Sequence, residues 1–230
     1  MSATLLISQG HRVVLHARNE ERGQEALRKN PGAETVLNGD LSNIEETKKL
    51  AGQVNSLGSF DTVIHNAGVY RDTAPKIFAI NTLAPYILTS LIKRPKRLIY
   101  LSSGMHFHGR PNLESLKQDI DRISYSDSKL HIVMLALAAA RKWSDVYSNA
   151  VDPGWVPTKM GGRGAPDDLQ KGYETQTWLA TSNDDKARVT GRYFFHKKER
   201  SFNSAANDLK SQEEFLMICG EITGVAFPES

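Results

Sequence analysis

The chain has 230 residues and one cysteine, Cys219, so no internal disulfide can staple it. A chain of this length buries a sizeable core without one, and the lack suits a reducing compartment. Cys219 lies among Phe215, Leu216, Ile218 and Ile222 in an apolar helical stretch and reads as packing, not as a nucleophile. Long apolar runs are missing too. The longest, 132–140, falls short of the roughly 20 residues a membrane helix needs. Residues 3–7 are too few for a signal-peptide core and have no cationic flank. Neither sign of charge dominates, since 29 basic and 26 acidic residues leave +3. The basic clusters at 93–97 and 196–200 form no stripe interleaved with aromatics, so they read as solvated surface and not as a nucleic-acid face. With 40% hydrophobic and 24% charged residues, the composition is ordinary globular. A soluble, cytoplasmic protein without a membrane span is expected.

What is present is an alternation of strand-like and helix-like segments. Strands are expected at 12–17, 35–37, Thr62–His65, 97–102, 146–151 and Arg192–Phe195. Helices are expected at Glu20–Lys29, 43–55, 75–91, 125–143 and 204–220. This order predicts one α/β domain over 1–230, a Rossmann-like, doubly wound parallel sheet with helices on both faces. Ligands bind such sheets beyond the carboxyl ends of the strands. The polar and glycine-rich pieces fall there: Arg18, Asp40, Asn66-Ala67-Gly68, Ser102-Ser103-Gly104 and Asp152-Pro153-Gly154.

Tyr125 and Lys129 stand four residues apart at a helix start, hence on one face. A phenol is a poor base at neutral pH, and a neighbouring ammonium favours the phenolate. A group tuned in this way can move the proton that accompanies hydride transfer at a carbinol. Taken alone the spacing is common, and a surface tyrosine beside a solvated lysine would produce it as well. The upstream strand 97–102 delivers the Ser102 and Ser103 hydroxyls to the same sheet edge, where a hydroxyl can steady charge developing on a substrate oxygen. His106 and His108 alternate, but no third ligand accompanies them, so no metal is expected. Trp155, Met160 and Trp178 either line a pocket or pack in the core. Segment 159–176, with Gly161, Gly162 and Gly164, is either a lid or a plain surface loop.

Together these pieces resemble the short-chain dehydrogenase/reductase family from about residue 10 onward: Asn66-Ala67-Gly68, Asn81, Ser102-Ser103-Gly104, Tyr125 with Lys129, and Pro153-Gly154-Trp155-Val156-Pro157-Thr158. The long step from Ser103 to Tyr125 and the Thr190-Gly191-Arg192-Tyr193-Phe194 segment are similar to the branch containing retinol dehydrogenases. The resemblance implies an oxidoreductase passing a hydride between a nicotinamide cofactor and a small carbonyl or alcohol. Retinoid-like, steroid-like and small xenobiotic substrates all remain open. Ser103 would polarise the carbonyl, Ser102 being the lesser candidate. Tyr125 would be the acid/base, Lys129 would lower its pKa and bind the nicotinamide ribose, and Asn81 would hold a relay water. Asn66, Ala67 and Gly68 would line the cofactor, with Asp40 and Leu41 at the adenine and Pro153, Gly154, Val156 and Thr158 at the carboxamide. Ala17-Arg18 stands where NAD enzymes usually carry a carboxylate, which points to NADP, with Arg18 on the 2′-phosphate. Otherwise Arg18 only caps its strand or pairs with a neighbouring Glu. A homodimer through the Tyr125 helix and the helix before it is also implied.

One departure counts against this. The family's first strand and its Thr-Gly-x-x-x-Gly-x-Gly phosphate loop are absent, and Met1 to Gln9 reads as the tail of the helix that would follow them. A buried central strand is worth ~5–15 kcal/mol, as large as a domain's net stability. Three readings follow: a longer product of which this chain is a part, a sheet closed another way with weak cofactor binding, or a catalytically silent relative used for binding or regulation.

Overall fold

The structure is a computed structural model and describes residues 1–229. Short parallel strands alternate with helices in the order α1 (Ser2–Ser8), β1 (Val14–Ala17), α2 (Glu20–Lys29), β2 (Thr35–Asn38), α3 (Ile44–Ser56), β3 (Thr62–His65), α4 (Ala74–Phe78), α5 (Ala84–Leu91), β4 (Arg97–Leu101), α6 (Leu113–Gln118), α7 (Tyr125–Lys142), β5 (Tyr147–Asp152), α8 (Lys171–Thr181), β6 (Arg192–Phe195), β7 (Lys198–Arg200) and α9 (Leu209–Thr223). This is the expected Rossmann-like α/β arrangement.

Strands β3, β4, β5 and β6 pair in parallel, and β7 adds an antiparallel edge. Leu98, Ile99 and Tyr100 of β4 and Ala150 and Val151 of β5 are at most 1% exposed, as strands covered on both faces should be. One face carries the larger core, where α5, α7 and α9 bring Tyr86, Ile87, Met134, Leu135, Phe215 and Ile218 together. On a second, smaller core Leu179 of α8 meets Ile99, Val151 and Phe194. Helix α7 is buried almost all round, from Asp127 to Ala139, which explains its alanine-rich, small-residue sequence.

Strands β1 and β2 form a separate parallel pair, and among the described residues no ladder joins them to the larger sheet. Accordingly Val14, Leu15, Val63 and Ile64 are only half-buried, unlike the residues of β4.

Three segments differ from the sequence pattern. The helix expected over 75–91 is broken by a wider π-type turn at Ala79–Leu83. Pro85 has no N–H to give to the carbonyl four residues back, that of Asn81, so the ladder cannot continue there. The last helix starts at Leu209, where Asp208 accepts from Ser211 N and caps it, after a short 3-10 turn at Ser204–Asn207. Strand β7 is an addition to the expected set. It pairs with β6 through His196 and Lys197, both at positive φ, the geometry of a tight hairpin.

Candidate functional site

The start of α7 is held in place twice. Ser124 Oγ accepts from Asp127 N at 3.1 Å and Asp127 Oδ2 accepts from Ser124 N at 2.9 Å, a reciprocal cap. Asp127 Oδ1 also accepts from Arg110 N at 2.7 Å, pinning the preceding loop. That loop passes so close that a Cβ on Gly109 would lie 2.3 Å from Ser126 O. Tyr125 is therefore presented at the first helical position, with Lys129 one turn below it.

Lys129 is 5% exposed. Its Nζ lies 5.5 Å from the centroid of the Tyr125 ring and donates to Leu101 O at 2.9 Å. Ser102 and Ser103 diverge. The Ser102 hydroxyl is buried and donates to Lys129 O at 2.8 Å, so it is taken up by the fold. The Ser103 side chain is half-exposed, accepts from Met105 N at 3.2 Å and lies beside the Tyr125 phenol. The rings of Tyr70 and Tyr125 meet edge to face at 4.7 Å.

The electrostatics correct one expectation. Burial pushes the Tyr125 phenol up to about 12. The Ser103 hydroxyl opposes this, while Asp152 and Tyr70 add to it. Burial pulls Lys129 down to about 8, opposed by Asp152. Lys129 was expected to lower Tyr125, but the net shift runs the other way. The ammonium is directed at the Leu101 carbonyl, and withdrawal from water dominates the phenol.

The Asn81 side chain is engaged with the turn after β3. Its Oδ1 accepts from Val69 N at 2.8 Å, and its Nδ2 donates to Val69 O at 2.9 Å and Ser128 Oγ at 3.0 Å. Both amide hydrogens are consumed, so the side chain clamps the turn after β3. Gly68 sits inside that clamp. A Cβ there would lie 3.3 Å from Asn81 Oδ1 and 3.4 Å from Lys129 Nζ. Asn66 and Ala67 are exposed beside it.

The remaining expected residues ring the same end of the strands. Arg18 is exposed just after β1, close enough to Asp40 to stabilise its carboxylate. Burial raises Asp40, but hydrogen bonds from Ser42 and the cations of Arg18 and Lys76 leave it lowered. Its Oδ1 accepts from Ser42 N and Oγ, and Leu41 is buried behind it. Gly154 takes a left-handed φ of +80°, and Pro153, Val156 and Thr158 are half-buried in the loop it opens.

Trp155 is 60% exposed and donates from Nε1 to Gly161 O, while Asp167 Oδ2 accepts from its backbone N. These bonds tie the 155–167 segment to itself. Trp178 instead packs against Phe194 in the smaller core, the second of the two places the sequence left open for it. His106 is buried, its Nδ1 2.7 Å from Ser103 O, while His108 is exposed. Among the described residues no group of three possible metal ligands exists.

Sequence reasoning placed Asp152 in the polar cluster but gave it no role. An Asp before Pro-Gly reads as a turn former, and only the fold brings its carboxylate within electrostatic reach of Tyr125, Lys129 and Tyr193. Its one available signal was its place at the end of a strand in the polar cluster.

The chain is similar to proteins of known family. The short chain dehydrogenase model matches residues 1–103. An uncharacterized oxidoreductase of Emericella nidulans is 45% identical over 240 aligned residues, covering 99% of this chain and 93% of that protein. The short-chain dehydrogenase chry4 of Gibberella zeae is 40% identical, with the same two coverages. In fold, an uncharacterized protein from Mycobacterium paratuberculosis superposes with a TM-score of 0.80 at 22% identity, covering 99% of this chain and 89% of that one. Identity at this level over nearly the whole length, on the sheet and helices described above, makes the chain an oxidoreductase of the short-chain dehydrogenase/reductase family.

Proposed function

We propose that the chain transfers a hydride between NADP(H) and a small-molecule carbonyl or alcohol, with Tyr125 as the proton donor in the reducing direction. The observation that carries this is the Tyr125–Lys129–Ser103 group: a protonated phenol, a buried ammonium and a half-exposed hydroxyl at one sheet edge. A substrate alkoxide formed by reduction is far more basic than a phenolate, so Tyr125 can protonate it even with a pKa of about 12. The phenolate left behind is then stabilised by the Lys129 charge next to it. Ser103 donates to the substrate oxygen while the charge develops.

A nicotinamide dinucleotide fits the residues at its reactive end. Lys129 spends one of three N–H donors on Leu101 O, leaving two for ribose hydroxyls. The 66–68 turn, brought close by Gly68, offers a flat backbone surface against that ammonium. Arg18 beside Asp40, with Ala17 before it, favours a 2′-phosphate over a bare ribose hydroxyl. The cofactor, once bound, supplies or accepts the hydride.

The β1–β2 pair, which no ladder joins to the larger sheet among the described residues, favours a second reading, a cofactor-impaired relative that binds or regulates. Fluorescence titration with NADPH separates the two. Saturable micromolar binding, with NADPH consumed on aldehydes or ketones, supports the oxidoreductase role for this 230-residue chain. No binding at millimolar NADPH would favour the silent role. Arg18→Ala should weaken NADPH binding while leaving NADH binding nearly unchanged; equal loss for both would remove Arg18 from the 2′-phosphate.

A further inference from the structure

We propose that Asp152, set at the end of β5 against Gly104 and Gly154 and across the sheet from Ser102, is a positioning residue for the proton transfer. The inference rests on the roles proposed for Tyr125 and Lys129.

The carboxylate is held rigidly. Oδ1 accepts from Gly154 N at 2.9 Å. The chain at Gly104 passes so near Oδ2 that an added Cβ would stand 3.1 Å from it. Backbone register fixes the surroundings: Val151 pairs with Leu101, Ser102 N donates to Val151 O at 2.7 Å, and Asp152 pairs with Phe195. The carboxylate thus sits across from the serine pair.

Its neighbours come from every element around it. From β6, the Tyr193 hydroxyl is buried without a hydrogen-bond partner and stands within electrostatic reach of the carboxylate. From the turn after β4, His106 packs on the Tyr193 ring at 4.5 Å; its Nε2 accepts from Asn203 N and its Nδ1 faces Ser103 O, so the ring is the neutral tautomer. From α7 come Tyr125 and Lys129, and Tyr70 stands behind Tyr125.

Burial raises the Asp152 carboxyl above the ordinary carboxylate range, opposed by the Gly154 and Gly104 amides, and its ionised form acts on both members of the pair in one direction. It opposes loss of the proton from Lys129 and from Tyr125. The ammonium therefore stays charged at neutral pH despite its burial, and the phenol stays loaded for delivery. Asp152 touches neither substrate nor hydride in this role.

Asp152→Asn removes the charge while its amide oxygen can still accept from Gly154 N. Two measurements on the full chain test it. The first is linkage, read without cofactor or substrate: the stability difference between a protein and its Lys129→Met variant, followed against pH. Lys129 holds its proton to about 8 when folded and to 10.5 when unfolded, so the cost of its burial is full below pH 8 and fades as pH rises to 10.5. In Asp152→Asn the fading should begin about one pH unit lower, and Asp152→Glu should restore it. The second is the alkaline limb of carbonyl reduction, which should move down with it.

An unmoved linkage curve in a folded Asp152→Asn would overturn the inference, even if activity falls, because a purely structural residue would lower kcat without shifting either curve. A moved curve in a protein that reduces no carbonyl would leave the electrostatic role standing and sink the reaction instead. If Asp152→Asn does not fold, Asp152→Ser, which also removes the charge, takes its place. Its linkage onset should likewise move down, and no movement would overturn the inference.

Discussion

At the residue scale the site is governed by desolvation. Lys129 is carried into the fold with one hydrogen bond, to Leu101 O, and burial draws it from 10.5 to about 8. Keeping it there costs the fold on the order of 3 kcal/mol at neutral pH. Lys129→Met should therefore raise stability by about 1–3 kcal/mol in urea unfolding at pH 7, while the active site fails. That gain should shrink toward pH 10.5, where the unfolded lysine also loses its proton. A destabilised Lys129→Met at pH 7 would show that the ammonium contributes more through its hydrogen bond than it loses by burial. The residue types at this site were legible in the sequence: Ser103, Tyr125 and Lys129 stand where spacing and resemblance put them. The sign of the Tyr125 shift was not legible, because it depends on how much water the fold removes and on Asp152, which is distant in sequence.

At the scale of elements, α7 carries Tyr125 and Lys129, to which the proposed proton transfer is assigned. Its first turn carries the reciprocal Ser124–Asp127 cap and its length is buried on all sides. Ser124→Ala should cost about 1 kcal/mol, and its catalytic loss should exceed what unfolding alone explains, because Tyr125 is the first residue the cap orders. Thermal unfolding and kcat measured on the same preparation check this; a stability loss without any kcat change would mean that Asp127 and Gly109 position Tyr125 unaided. Leu135→Ala, deep in the same helix, should cost about 2–5 kcal/mol with kcat per folded molecule preserved. The helix and its strand neighbours were readable from apolar patterning. The π-type turn at Ala79–Leu83 was not, although Pro85 marks its place; patterning sees which residues are apolar, not which carbonyl loses its donor.

At the scale of the whole molecule, the sheet is uneven. The β3–β6 ladder is buried and continuous, whereas β1–β2 stands apart and leans on α2 and α3. Hydrogen exchange should accordingly find the slowest amides in β4 and β5 and much faster exchange in β1 and β3, each of which has an edge unpaired among the described residues. Uniform protection across all strands would contradict a divided sheet. Strand-helix alternation made the parallel class legible. The hairpin of β6 and β7 was hidden because His196 and Lys197 carry none of the usual glycine or asparagine signal for positive φ.

The most direct measurement is the rate of NADPH-dependent carbonyl reduction by Tyr125→Phe against the parent chain, at pH 7, with both shown to be folded. Loss of the phenolic proton should lower kcat by about 10²–10⁴-fold with little change in stability. A variant that keeps activity within tenfold of the parent would contradict Tyr125 as the proton donor, and with it the supporting roles of Lys129 and Asp152.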